Sequence, residues 1–159
     1  MSLTSAVVSS SVDWTYVQSV TGFLPIKQGP DSLIGNITHS TSDVTKLIPK
    51  QYVVAGGGTQ DIDLQTELDL SQAAAGCTKA VAIQISVTGN DVKITGHGTN
   101  GLAGWFIRNS GEFWIPAGGF ATIAWPFSKA VTIDATHKKL VITNSSGASA
   151  TVTIAFLGA

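Results

Sequence analysis

Charge is what this sequence has least of. Asp, Glu, Lys and Arg make up 12% of the 159 residues, about half the usual share, and the formal net charge is −1. The nine Lys and Arg form no basic stripe for phosphates, so nucleic acid is not an expected partner. Cysteine is nearly absent. Cys77 stands alone, which excludes an intrachain disulfide and with it a small oxidised scaffold. Within Ala73-Ala74-Ala75-Gly76-Cys77 it reads as a buried small hydrophobe with no neighbour to activate a thiolate. No stretch approaches the ~18 apolar residues of a membrane span, so no membrane partner is expected. Met1-Ser2-Leu3-Thr4-Ser5-Ala6 lacks the basic and apolar regions of a signal peptide, so synthesis in a cytoplasm is expected. Without secretion, Asn36-Ile37-Thr38 and Asn144-Ser145-Ser146 match the glycosylation sequon by composition alone.

Chemistry-bearing constellations are missing too. His39, His97 and His137 have no His or Cys at metal-ligand spacing, and each reads as a surface loop residue. Gly96-His97-Gly98 is the one exposed imidazole that could face a partner or, in a trimer, its own copies. Asp61, Asp63, Glu67 and Asp69 lack the glycine turn and bidentate carboxylate of a calcium loop, and read as a solvated strand face. Only two glutamates exist, Glu67 and Glu112, the second placed in a turn, which disfavours a glycosidase pair. No Gly-x-Ser-x-Gly elbow occurs, and neither Gly56-Gly57-Gly58 nor the glycine loop at 96–101 has phosphate-binding spacing. No enzyme, catalytic residue, metal or cofactor is therefore expected.

What is present is a series of short β-branched and aromatic runs separated by Gly, Asn and Ser turns. Residues 81–87, 91–95, 104–108, 112–116, 120–125, 130–134, 140–143 and 151–157 read as strands, with turn signals about every 8–12 residues. Val81, Ile83, Ile85 and Val87 share one face by period-two alternation, and Ile62 and Leu64 lie opposite Asp61 and Asp63. Phe120 to Trp125 is apolar on both faces and is expected to be a central strand covered on both sides. Asn144-Ser145-Ser146-Gly147 reads as a hairpin loop between the last two strands, and the final strand is expected inside the sheet. Residues 70–76 are the one helical candidate, a single turn.

Residues 1–50 differ. Trp14, Tyr16, Phe23 and Leu24 stand in irregular polar sequence, with extended pieces at 6–9 and 14–20, and form a candidate partner interface. The segment is either an arm or the first strands of the sandwich with long loops. Residues 51–159 form the second unit, and Gly56-Gly57-Gly58 is a flexible joint or bulge. The fold expected is all-β: a single antiparallel β-sandwich, a jelly roll, with an N-terminal extended arm. Trp105, Trp114 and Trp125 are candidate surface aromatics, for sugar stacking or for a protein interface.

The run Phe113-Trp114-Ile115-Pro116-Ala117-Gly118-Gly119-Phe120, then Ile123-Ala124-Trp125-Pro126, and the closing stretch from Leu140 to Ile154 resemble the C-terminal half of small virion proteins of tailed bacteriophages. The resemblance covers roughly residues 60–159 and rests on turn chemistry between alternating strands. It implies a capsid decoration (cement) or head-fibre protein of β-sandwich or jelly-roll fold, homo-oligomeric and often trimeric, on the virion's capsid surface. The major capsid protein is the implied partner. The alternative expectation is a carbohydrate-binding appendage domain used in host attachment.

Overall fold

The computed structural model describes residues 6–18, 26–39, 44–69, 72–102, 112–125 and 127–159. In chain order its strands are β1 (Ala6–Gln18), β2 (Ile26–His39), β3 (Lys46–Val54), β4 (Thr59–Asp63), β5 (Lys79–Thr88), β6 (Val92–Gly96), β7 (Glu112–Ile115), β8 (Phe120–Ala124), β9 (Val131–Thr132), β10 (Lys139–Thr143) and β11 (Ala150–Gly158). A single 3-10 turn, Phe127–Lys129, precedes β9.

Two antiparallel sheets pack face to face, one ordered β3-β11-β5-β8 and the other β4-β10-β6-β7, with the two-residue β9 beside β8 on β5. The pairing is nested: β3 with β11, β4 with β10, β5 with β8, β6 with β7. This is a long antiparallel hairpin rolled up on itself, the jelly-roll arrangement expected from the sequence. Alternation supplies the core. Ile83, Ile85 and Val87 of β5 and Val152, Ile154 and Phe156 of β11 face Ile94, Ile115, Leu140 and Ile142 of the second sheet, all essentially buried.

Four short connections, at 55–58, 89–91, 116–119 and 144–149, each carry the chain from one sheet to the other at the same end of the sandwich. They are locked to one another. Gly118 N–H donates to Val87 O and Val87 N–H to Gly119 O, while Asn90 Nδ2 donates to Ser149 O. In the 116–119 turn Gly119 N–H closes on Pro116 O, and Gly118 has φ +78°, the left-handed position a type II turn requires. The 55–58 turn is closed as well, Gly58 N–H donating to Ala55 O, and a Cβ on Gly56 would meet the Gly147 backbone at 2.5 Å. The triple glycine is thus a packed corner.

Several expectations are corrected by this topology. Phe120–Ala124 is not central: among the described residues β8 lies at the edge of its sheet, because the nested pairing leaves it only β5 as a neighbour. The 144–147 segment is no hairpin loop, since β10 and β11 lie in different sheets; its Asn/Ser/Gly chemistry builds an inter-sheet corner. Glu112 opens β7 and pairs with Thr95, so it is a strand residue. Val81 leaves the inner face, because a register shift beside Gly158 sends it into a satellite cluster with Val44, Phe127, Ala130 and Leu157. Residues 72–76 form bends and an isolated Leu68–Ala74 bridge, with Gln72 and Gly76 at positive φ, which no helical turn accommodates. The expected strand at 104–108 lies outside the described residues.

At the N-terminus, β1 and β2 pair over their whole length in a two-stranded sheet of their own, joining neither sandwich sheet. Gly29-Pro30, which reads as a turn, falls at a register irregularity between the Trp14–Asp31 and Tyr16–Gln28 pairs, where a missing N–H is tolerated. A unit boundary at residue 50 falls within β3, whose Pro49 pairs with Ala155. β3 is an edge strand among the described residues, the place in a sheet where proline fits.

Candidate interaction surfaces

The two outward faces are built by the same alternation that builds the core. On the first sheet, the outward positions are 47–53 on β3, 151–157 on β11, 82–88 on β5 and 120–124 on β8, taking every second residue. None of them is charged. The middle row reads Gln51–Thr153–Ser86–Phe120, and Val53 lies one row above it beside Thr151. Val53 and Phe120 are the most open large apolar side chains among the described residues, 71% and 69% exposed. The first charge met is Lys79, beyond the bulge, with its ammonium 4.0 Å from the Phe127 ring centre.

The second sheet's outward face is laced with ions. Lys139 Nζ lies 3.7 Å from Asp61, and Lys93 Nζ 3.2 Å from Glu112. Trp114 donates its indole N–H to Glu112 Oε1 at 2.9 Å, and Lys93 sits 5.8 Å above its ring. Those two bonds, the indole's first, hold the Glu112 carboxyl below its ordinary range. Trp114 stays half exposed and is pinned in one orientation by a cross-strand clamp.

A third polar group sits under the 64–78 loop, on the side where β3 and β4 meet. Lys46 pairs with Asp69 at 3.4 Å and Lys50 with Glu67 at 3.9 Å, while Lys138 pairs with Asp63 at 3.1 Å. The inward lysines of edge strand β3 are thereby neutralised by loop carboxylates, and a charged edge resists accidental strand pairing. Tyr52 lies beside Glu67; burial first, and the carboxylate second, push its ionisation well above the usual phenol range. Cys77 is fully buried, and burial pushes its thiol up to about 11.

The expected site residues are therefore dispersed. Trp114 is on the ionic face, whereas Trp125 is partly buried and packs against the core, because alternation after Ile123 turns it inward. Trp105, Phe23 and Leu24 lie outside the described residues. Trp14 and Tyr16 flank the β1–β2 irregularity. Of the acidic set, Asp61 and Asp63 do point outward from β4, where Asp61 is exposed and each meets a lysine, whereas Asp69 is buried, 7% exposed. His97 Nδ1 accepts the backbone N–H groups of Thr99 and Asn100, and Nε2 lies 3.5 Å from Asp61, so the imidazole organises its own loop. Among the described residues no group of three or more His, Cys, Asp and Glu is placed to hold a metal, and no helix is long and apolar enough to cross a membrane.

No family model matches the chain, and no curated protein matches it. Solved structures are similar to it, two of them as follows. One is the crystal structure of PirA, at TM-score 0.43 and 14% identity, covering 69% of this chain and 93% of that one. The other is a chain of the X-ray structure of tomato aspermy virus, at TM-score 0.38 and 9% identity, covering 74% and 78%.

The uncharged sheet face, with Phe120 on one edge strand and Val53 on the other, is the surface that residue-by-residue reading missed. Its signal was available, since residues 47–53 alternate without a charge on the odd positions. Only the register, which lays that row beside the odd positions of 151–157, turns it into a face.

Proposed function

We propose that this chain is a non-enzymatic structural protein of a virion, a homo-oligomeric jelly roll that decorates and reinforces a bacteriophage capsid through its major capsid protein. The observation that carries the reading is the uncharged, solvent-open outer face of the β3-β11-β5-β8 sheet. Exposed apolar residues set among Thr, Ser and Gln, with no charge to desolvate, suit a face that is covered in an assembly. The resemblance of residues 60–159 to phage decoration and head-fibre proteins supplies the capsid and the trimeric stoichiometry.

Co-sedimentation with purified phage heads lacking this protein tests the reading, alongside light scattering of the free protein. An oligomer that pellets with heads at saturating stoichiometry is expected. A monomer of 16.4 kDa that stays in the supernatant sinks it.

The pinned, half-exposed Trp114 favours a second reading, glycan attachment. An aromatic ring held in place beside a carboxylate and an ammonium can stack on a sugar and bond its hydroxyls. Trp114→Ala on a glycan array separates the two, because it should leave head binding intact.

A further inference from the structure

We infer that the turn at 97–100, directly after β6, is a pH-sensitive latch, held shut by the neutral His97 imidazole and released when that ring takes a second proton. The inference is independent of the virion reading. It rests on which ring nitrogen is able to carry a proton.

The two nitrogens have opposite duties. Nδ1 accepts the backbone N–H of Thr99 at 3.2 Å and that of Asn100 at 3.4 Å. A nitrogen that faces two donors is the bare one, so the proton of the neutral ring sits on Nε2. That nitrogen lies 3.5 Å from Asp61 Oδ2, an acceptor. His97 thus does for its turn what Asn or Asp does in many others, bonding the backbone two and three residues on. Unlike Asn, it can stop accepting.

A second proton has one place to go. It lands on Nδ1, where it meets the N–H groups of Thr99 and Asn100 head on, so both bonds are lost whether the ring swings away or the turn opens. Asp61 pulls the other way, because it gains a cationic neighbour. Among the described residues, β4 supplies Asp61 and Asp63 on this side, and Lys138 and Lys139 come from the start of β10. Lys139 Nζ is 3.7 Å from Asp61 and Lys138 Nζ 3.1 Å from Asp63, while Lys93 and Glu112 are paired with each other farther along the same face. Asp61 therefore already has a lysine, and an imidazolium gains less from it than from an unpaired carboxylate.

What opens is small and defined. The base of the turn is tied to β10 by backbone bonds that do not involve the ring: Lys138 N–H and Lys139 N–H both donate to Asn100 O, and Leu102 N–H donates to Lys139 O. Gly101 packs so closely that a Cβ there would collide with the His97 carbonyl oxygen, which fixes the base further. Gly98, at the tip, has open space where a Cβ would lie. Acid frees the tip while the base stays in the sheet.

The test follows the amide protons of the full chain by NMR at about pH 8 and about pH 5, a span that crosses the ordinary titration of an imidazole. Ring nitrogen shifts should report the Nε2–H tautomer at the higher pH. At the lower pH the Thr99 and Asn100 amides should be about tenfold less protected from exchange, after correction for intrinsic rates, while Lys138, Lys139 and Leu102 are unchanged. His97→Asn keeps an acceptor that does not titrate, so both amides should stay protected at both pH values. His97→Ala should leave them unprotected at both. An Nδ1–H tautomer at the higher pH, wild-type protection that ignores pH, or an Asn variant as unprotected as the Ala variant overturns the latch. Loss of protection at Lys139 together with Thr99 overturns it too, since the fold and not the turn would then be opening.

Discussion

The two sheets share one core and differ on their outsides. β11 and β10 both sit between two neighbours and both bury every second residue, yet β11 turns Thr151, Thr153, Ala155 and Leu157 outward where β10 turns Lys139, Val141 and Thr143. On β10 the lysine meets Asp61 across the strand pair; on β11 no outward group has an ionic partner to meet. A sheet that leaves its outside neutral, with Phe120 and Val53 open, is keeping a surface whose burial costs no charge desolvation. The comparison teaches that core and outer surface are encoded on the two phases of one alternating pattern.

The largest test of that claim sets the phases of β11 against each other. Phe156→Ala, on the buried phase, should cost about 3–5 kcal/mol in urea unfolding, and Thr153→Ala, on the outward phase of the same strand, less than ~0.5 kcal/mol. Equal effects would mean that the outer face is already covered within one copy.

Next comes the corner that holds the sheets in register. Asn144 is fully buried; its Nδ2 donates to Val54 O and Ala148 O, and its Oδ1 accepts from Ser146 N–H and Oγ. Asn144→Ala strands those carbonyls and should cost about 1–3 kcal/mol, read as a lower denaturation midpoint. Gly118→Ala forces a Cβ into φ +78° and should cost roughly 1 kcal/mol while leaving the affinity of the folded protein for its partner unchanged. A stable variant that has lost its partner would make the 116–119 turn a contact instead.

Smaller effects belong to the ionic face. Lys139→Ala should cost at most ~1 kcal/mol, and that difference should vanish in 1 M salt, because its pair with Asp61 is largely exposed. Assembly through the neutral face should not weaken at the same salt concentration.

The smallest effect is a pH window. The Cys77 thiol is raised from 9.0 to about 11, so its native form holds the proton more tightly than the unfolded chain does. Its contribution is complete below pH 9 and fades between about 9 and 11, and Cys77 should resist alkylation until the protein unfolds. Asp134 runs the other way. Thr136 first, then His137, hold it near 2, so what it adds to the 134–137 turn is present above pH 3.8 and lost as the pH falls toward 2, visible as shifts of the Thr136 and His137 amides.

Much of the sandwich was legible because a strand with one buried side advertises itself every second residue. Ile83-Gln84-Ile85-Ser86-Val87 and Val152-Thr153-Ile154 are unambiguous, and both lie where the alternation puts them. Three things were not legible, each for a non-local reason. Whether β8 is central or at an edge depends on strand order, which no local pattern encodes. β2 was hidden by Gly29-Pro30, since a bulge and a turn use the same residues. The neutral face exists only as rows across four strands, so each strand alone shows a few Thr, Ser and Ala of no obvious purpose. Trp114 was named from sequence, but its clamp needed the diagonal placement of Lys93 and Glu112 across the β6–β7 pair.

The nested pairing also dictates when the molecule can come into being. Gln51 of β3 bonds Thr153 of β11 across 102 positions, and β5 too waits for β11 on one of its sides. As a chain emerges from the ribosome, β3 and β5 are exposed with their shared neighbour still unsynthesised, and a fold so dominated by distant contacts closes slowly. Nucleation before β11 has left the exit tunnel can therefore produce only half-sheets with bare edges, the species most open to aggregation or capture by a chaperone. Because β5 stays bare on one side until residues 89–158 have been made, slow translation over that whole stretch should lower yield more than slow translation before β5.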